Sequence, residues 1–393
     1  MISVPEALFI ISSIHYAPVS KNVFLKNAKK LTLSKDIASP MHMPPFRQSA
    51  MDGYALLMHP ENTNVYQIIG EVKAGDTANY RLKPGQGVRI FTGARVPDDA
   101  DTIVIQEHVS RSDDTIIINK EIHKNQNIRP VGEQIKKGDC ALVKGTTLTP
   151  AAIGFLAGLG INKVDVYVPP KVAIITTGNE LVAPGEALYD GKIYESNSIQ
   201  LEAVLEQLSI KNITKYKVQD EYQKTKKTIQ EAIQSNDLVL ISGGISVGDY
   251  DFVKQALQEL NTEELFYKIK QKPGKPLFFG KNGSSLIFAL PGNPASSLTC
   301  FYIYVLPVIE KMLGTFNTGL TRTMKIITTD FIKKGDRAQF LKAKVHNEQV
   351  EILEGQSSAM LYTYAIANAL VYIPEAINKV SKGNEVETIL LPS

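Results

Sequence analysis

Three continuous apolar runs, Val172–Ile175, Leu238–Ile241 and Leu286–Leu290, constrain this chain more than any other feature. Stretches with helical spacing lie among and after them, at about Ile199–Leu208, Glu221–Gln234, Phe252–Leu260 and Ala295–Leu313. A strand that is apolar on every residue must be covered on both faces. Short runs of this kind alternating with amphipathic helices predict a doubly wound parallel α/β sheet. Ligands of such sheets bind where the strands end at their carboxyl edge, so the residues after each run are the first place to look for chemistry.

All three runs end in loops rich in glycine and hydroxyls. The first enters Thr176-Thr177-Gly178-Asn179-Glu180. The second enters Ser242-Gly243-Gly244-Ile245-Ser246-Val247-Gly248-Asp249, and the third Pro291-Gly292-Asn293-Pro294-Ala295-Ser296-Ser297. Glycine lets backbone approach a ligand closely and adopt positive φ, and free N–H groups at a helix start favour an anion. One such loop is an ordinary turn; three on one sheet edge predict a binding crevice. Neither a Walker A pattern nor Gly-x-Gly-x-x-Gly is present, which disfavours a P-loop nucleotidase or a dinucleotide dehydrogenase. Glu180, Asp220, Asp249 and Asp251 lie in or beside these loops and suit a divalent cation that shares substrate oxygens. Asp251 reads equally as a helix cap and Glu180 as a surface residue. The segment from Lys268 to Pro276 is basic. If it is extended, Lys268, Lys270 and Lys272 share one side and could hold an oxyanion; the plainer reading is a solvated edge strand.

The rest of the chain has a different texture. Ser3-Val4-Pro5-Glu6 reads as a capping box opening a helix with Leu8, Ile11 and Ile14 on one face. The absence of a basic n-region and of any bilayer-length apolar run predicts a cytoplasmic protein with no membrane partner. From Met43 to about Pro130, candidate strands at Val65–Ile69, Val88–Phe91, Thr102–Ile105 and Thr115–Ile118 are separated by turn signals. Ser49–Tyr54 and Thr92-Gly93-Ala94 are short polar turns in this region, where Asp52 reads by itself as a turn residue. Thr149-Pro150 opens another helix. The simplest organisation is a β domain, 43–130, inserted into a helical linking domain made of 1–42 and 131–168. The α/β domain then spans 169–314. A small C-terminal β domain, 315–393, carries strands near Met324–Thr328, Phe340–Val345 and Leu370–Ile373. The 43 basic and 40 acidic residues nearly balance, at a net +3, so nothing points to nucleic acid. Cys140 and Cys300 stand far apart with no Cys-x-x-Cys, which predicts reduced thiols rather than a disulfide framework or a zinc site.

These segments, taken together and in order, resemble the molybdopterin molybdotransferase family, the type of bacterial MoeA and the gephyrin E domain. The likeness rests on Pro44-Pro45-Phe46 leading to Ser49-Ala50-Met51-Asp52-Gly53-Tyr54-Ala55, Phe91-Thr92-Gly93-Ala94, Ile128-Arg129-Pro130-Val131-Gly132-Glu133, Thr177-Gly178-Asn179-Glu180-Leu181, Ser242–Gly248, Lys272-Pro273-Gly274-Lys275-Pro276 and Leu290-Pro291-Gly292-Asn293-Pro294. It implies a four-domain subunit in a homodimer, with an active site between the α/β domain of one subunit and the inserted domain of the other. It implies transfer of molybdate into adenylylated molybdopterin with release of AMP, dependent on Mg²⁺ or a similar divalent cation. It further implies catalytic positions at Asp52, Thr92, Glu180, Asp220 and Asp251, with Glu180, Asp220 and Asp251 as metal candidates. Substrate contacts are implied at Thr177, Gly178, Ser242, Gly243, Gly244, Ser246, Lys268, Lys272, Lys275, Pro291, Gly292, Asn293, Pro294, Ser357 and Ser358. A molybdopterin adenylyltransferase and proteins that mature molybdoenzymes are implied partners. Arg47, Gln134, Asn179 and Tyr362 depart from the family's usual residues. Two rival readings remain open: an adenylyltransferase resembling the α/β domain alone, and a gephyrin-like scaffold without catalysis.

Overall fold

The computed structural model describes residues 1–59, 61, 63–77, 79–245, 252–315 and 319–392. The chain divides into two compact units. One comprises 1–21, 30–34 and 165–393; the other comprises 22–29 and 35–164.

The first unit is built on a six-stranded sheet. Its order is Ile213–Val218, Val172–Thr177, Leu238–Ser242, Ser285–Leu290, Phe278–Asn282, Glu263–Tyr267. The first four strands run parallel. The last two are added by antiparallel pairing: Phe278–Asn282 runs against the parallel four, forming a hairpin with Ser285–Leu290, and Glu263–Tyr267 pairs antiparallel to it. The sheet is therefore mixed rather than all parallel. The sequence masked this because a two-residue hairpin connection needs no helical crossover, and the only periodicity there was a run of basic residues.

Side chains alternate across a strand, and each face of the three expected apolar strands has its own core. Val172, Ile174, Leu238, Leu240, Leu286 and Phe288 pack with Leu201 and Leu205 of the helix Asn197–Gln207 and with the Pro294–Met312 stretch. Ala173, Ile175, Val239, Ile241, Ile287 and Ala289 pack with Ile229 of Tyr222–Ser235 and with Val253 and Leu257 of Phe252–Glu259. Each buried Val, Leu, Ile or Phe among these contributes about 1.5–3 kcal/mol relative to exposure, which is what makes the double covering obligatory. The expected long helix after Ala295 is continuous but contains a π-turn, Phe301–Val305, between α-helical pieces Pro294–Cys300 and Leu306–Met312.

The N-terminal helix Val4–Ser13 has the expected capping box: Ser3 Oγ accepts from the Glu6 N–H, and the Glu6 carboxylate accepts from the Ser3 N–H. Val4, Ala7 and Ile11 pack into the same core as the Pro294–Met312 stretch. The helix opened by Thr149, Pro150–Gly158, lies in the second unit. The first unit also holds a second six-stranded sheet, formed by Gln271–Lys272, Arg322–Ile327, Ala338–His346, Gln349–Ile352, Ala369–Ile373 and Glu385–Leu390.

The second unit carries a six-stranded β sheet ordered Thr102–Ile105, Gly53–Leu56, Gln86–Ile90, Val65–Val72, Thr115–Ile118, Val109–Ser112. Four of its strands lie where the short apolar runs between turn signals placed them. Gly53–Leu56 escaped the sequence reading although all four residues are buried. It is a central strand that opens with glycine, and a Cβ at Gly53 would stand 2.0 Å from the Val104 carbonyl oxygen. Among the described residues no helix is long and apolar enough to cross a membrane.

Candidate functional site

The chain leaves the Val172–Thr177 strand to one side, towards Ile213–Val218, and later returns to the other side at Leu238–Ser242. That reversal is the topological switch point of the sheet, where an open α/β sheet leaves a crevice. A cleft of about 730 Å³ lies there, lined by residues of all three expected loops, including Thr177, Gly178, Glu180, Asp220, Ser242–Gly244 and Pro291–Pro294.

Two glycines explain why these loops need their sequence. Gly178 has φ +146°, and a Cβ there would sit 2.8 Å from the Glu180 carboxylate oxygens. Gly243 has φ +94°, and a Cβ would sit 2.8 Å from the Thr177 carbonyl oxygen and hydroxyl. Any larger residue closes the turn onto its neighbour. The Thr177 side chain is buried, and its Oγ1 has no hydrogen-bond partner among the described residues. A buried hydroxyl without a partner is costly, and this one belongs to a residue that lines the cleft.

Two further residues tie the loops together. Asn197 Nδ2 donates to Ser242 Oγ and to the Gly292 carbonyl, both at 2.7 Å. Its Oδ1 accepts from Gln200 Nε2 at 3.1 Å, and the same nitrogen donates to the Pro294 carbonyl at 3.1 Å. One helical turn thereby fixes two strand-end loops. Sequence reasoning missed Asn197 and Gln200 because nothing in a single helix reveals which loops its polar turn will face.

The acidic residues divide. Asp220 and Asn179 form a reciprocal clasp: Asn179 N–H donates to Asp220 Oδ2 at 3.1 Å, and Asp220 N–H donates to Asn179 Oδ1 at 3.2 Å. Glu180 lines the cleft with no hydrogen bond or ion pair to its carboxylate among the described residues. Glu195 also lines the cleft, but its carboxylate accepts the Ser198 N–H and hydroxyl at the start of the Asn197–Gln207 helix. Among the described residues no group of three or more His, Cys, Asp or Glu forms a ligand set for a metal. Asp251, Asp249 and Ser246 lie outside the described residues.

The row of lysines expected from an extended segment does not form. Lys268 adopts φ +64° and its ammonium lies 4.6 Å from the Tyr267 ring centroid. Lys270 pairs with Glu375 at 2.9 Å and Asp336 at 3.5 Å, and the Glu375 carboxylate, which it hydrogen-bonds, holds its pKa above the usual lysine value. Only Gln271–Lys272 is strand, because a left-handed residue breaks the alternation. Lys272 and Lys275 are exposed and have no ion-pair partner among the described residues, and Pro276 of the same loop lines the cleft.

The serines at 357 and 358 follow a different support. Ser358 Oγ accepts from Asn293 Nδ2 at 3.0 Å, and the next residue, Ala359, lines the cleft. Beneath the segment, the buried Lys342 donates to the carbonyls of Gly355, Ser357 and Met360 at 2.9–3.1 Å, and burial lowers its pKa. Tyr362 is exposed.

In the second unit, Asp52 and Thr92 meet as a pair. Asp52 Oδ1 accepts from the Thr92 N–H at 2.7 Å and from its hydroxyl at 2.8 Å. The backbone bond, then the hydroxyl bond, hold the Asp52 carboxyl below the usual aspartate range. Both residues are exposed. Arg47 is structural here: Nη2 donates to the carbonyls of Pro97, Asp98 and Ala100.

Three family models match the chain. Residues 2–160 match the MoeA N-terminal region (domain I and II), 173–311 a probable molybdopterin binding domain, and 326–391 the MoeA C-terminal region (domain IV). The chain is similar to a molybdopterin molybdenumtransferase of Haemophilus influenzae, 36% identical over 92% of this chain and 91% of the relative. It is also similar to one of Staphylococcus epidermidis, 31% identical over 100% of this chain and 96% of the relative. A crystal structure of a molybdopterin biosynthesis MoeA protein from Pyrococcus horikoshii superposes with a TM-score of 0.84 at 30% identity, covering both chains completely.

Proposed function

Because the chain belongs to the molybdopterin molybdenumtransferase family, and so is an enzyme of molybdenum cofactor biosynthesis, we propose that its strand-end cleft takes adenylylated molybdopterin and molybdate and releases AMP as metal enters the dithiolene. The observation that carries this reading is the cleft itself. It sits at the switch point, wide enough for a nucleotide-sized ligand, with the backbone of Gly178, Gly243 and Gly292 brought to its wall.

The residues divide the work by charge. The glycine turns and the Thr177 and Ser242 hydroxyls suit the phosphate side of the pterin. Lys272 and Lys275, unpaired and exposed, suit the oxyanion, and Ser358, next to Ser357, meets the Pro291–Pro294 loop through Asn293. Glu180 and Asp220 leave carboxylate oxygens at the cleft wall, an all-oxygen donor set that fits Mg²⁺, which binds through one or two carboxylates plus substrate oxygens. That ion would neutralise anhydride charge as AMP departs. The chain's own part is to orient the dithiolene and the oxyanion towards each other.

Asp52 and Thr92 enter as a second element of the site, offered by the partner subunit of a homodimer. The division into 1–42 with 131–168, 43–130, 169–314 and 315–393 belongs to the same reading, and so does a cytoplasmic location. The experiment mixes the full chain with adenylylated molybdopterin, Mg²⁺ and molybdate and follows AMP and pterin-bound molybdenum. Molybdate-dependent AMP release with metal-loaded pterin supports the reading. Ligand binding without AMP release overturns it in favour of a scaffold.

A further inference from the structure

Between Lys272 and Lys275 the chain reads Pro-Gly, and Pro276 follows. Two of these positions lack an N–H, so the loop has few backbone donors of its own with which to hold its carbonyls. The structure supplies a donor from below. Gln271 is completely buried. Its Nε2 lies 3.0 Å from the Pro273 carbonyl, 3.2 Å from the Gly274 carbonyl and 3.6 Å from Cys300 Sγ. Its Oε1 accepts from the Tyr304 hydroxyl. The Cys300 thiol, kept protonated by burial, also reaches the Gly274 carbonyl at 3.7 Å.

The loop is wound closely on this cluster. Gly274 has φ +83°, and a Cβ there would stand 2.5 Å from Cys300 Sγ and 3.0 Å from Gln271 Nε2. Outside the cluster, the Ile269 N–H holds the Lys275 carbonyl at 3.0 Å and Arg337 donates to the Gln271 carbonyl at 3.3 Å. Tyr304 and Cys300 come from the helical stretch whose first residue, Pro294, lines the cleft; Tyr304 reaches Gln271 from the π-turn. π-turns of this kind redirect side chains at functional sites.

We propose that Gln271 is a positioning residue for oxyanion recognition, fixing the Pro273-Gly274 carbonyls so that Lys272 and Lys275 are presented to the anionic substrate from a rigid loop. This rests on the role given above to those two lysines. An apolar side chain of similar volume would fill the same space without the desolvation cost of a buried amide. What the amide adds is direction: a fully satisfied buried polar cluster holds one arrangement of the groups it joins. Tyr304 orients the amide in turn, so that its nitrogen, not its oxygen, faces the loop.

The test is a double-mutant cycle on the full chain, with the KM for molybdate in the insertion reaction and the melting temperature as readouts. Gln271→Met and Lys272→Met should each raise the KM for molybdate about tenfold. In the Lys272→Met background, Gln271→Met should add less than about threefold, because residues acting through one contact are not additive. Tyr304→Phe, which removes a single hydroxyl, should raise the KM in the same direction and should also lose most of that effect when Lys272 is gone. Should Gln271→Met fail to fold, the Tyr304→Phe cycle carries the test. Overturning results are an unchanged KM, or the same multiplication of KM with and without Lys272, which would leave Gln271 a packing residue while the lysines keep their role. An unchanged KM in both Lys272→Met and Lys275→Met would overturn the assignment of the lysines, and this inference with it.

Discussion

The cleft of the α/β sheet and the Asp52 turn of the inserted sheet both present carboxylates, yet they hold them by opposite means. At the cleft, loops are fixed from behind: Asn197 and Gln200 join Ser242, Gly292 and Pro294, and Lys342 holds the Ser357 segment. At the turn, Asp52 is exposed and is fixed by two bonds from one neighbour across the sheet edge, Thr92. A buried scaffold gives precision at the expense of sensitivity to any unpaired group. An exposed turn is cheap to alter without unfolding the protein. The difference teaches where activity and stability should separate on mutation.

The largest expected effect tests the roles proposed for the two carboxylates. Asp52→Ala should lower molybdenum insertion by about 10²-fold or more, the scale of losing a preorganised charged group, with the melting temperature unchanged. Glu180→Ala should do the same. If the two residues serve one site from different subunits, mixing the two inactive variants and allowing subunits to exchange should restore part of the activity, read as AMP release. No recovery in a confirmed mixed dimer would place both functions in one subunit.

Asn197→Leu comes next. It removes the donor to Ser242 Oγ and the Gly292 carbonyl and one of the two acceptors of Gln200, so activity should fall roughly 10²-fold through misplacement of two loops. Stability should fall by about 1–3 kcal/mol. A wild-type rate would show that the loops hold themselves.

Lys342→Met should act on stability before rate. It strips a buried donor from three carbonyls and should cost on the order of 3 kcal/mol in denaturant unfolding. An unchanged midpoint would mean that the serine segment is supported elsewhere.

The smallest effect sharpens the exposed end. Asp52 has a depressed folded pKa, so its anion persists as pH falls through the ordinary aspartate range; any stability it contributes is full above the unfolded value, declines below it and is gone once pH has fallen through the lowered folded value. Thr92→Val removes the hydroxyl bond and keeps the N–H, so the Asp52 titration should move up part of the way to the ordinary range. Carboxyl carbon NMR reads this directly; an unmoved titration would leave the backbone bond as the whole cause.

Much of the site was legible because the chemistry is local to strand ends. Thr177–Glu180, Ser242–Gly244 and Pro291–Pro294 were found from the runs that precede them, and one cleft gathers them. The lysines were read less well. Alternation predicts a shared face only for extended backbone, whereas Lys268 has φ +64° and Gln271 pairs with Ala338 in another sheet. Gln271 itself looked like one more polar residue in a basic stretch, since burial of an amide is invisible in a sequence.

The sequence by itself determined the covering of the sheet on both faces, the positions that only glycine can occupy, and the family to which the order of motifs is similar. These follow from local pattern: period, φ and turn chemistry repeat wherever the same residues recur. The tertiary structure decided which polar side chains meet. Asn197 with Ser242 and Gly292, Gln271 with Tyr304, and Lys342 with the serine segment join residues from about 13 to 95 apart in the chain. Such partners are selected by packing of whole elements in three dimensions, because a hydrogen bond is decided by tenths of an ångström that no one-dimensional spacing carries.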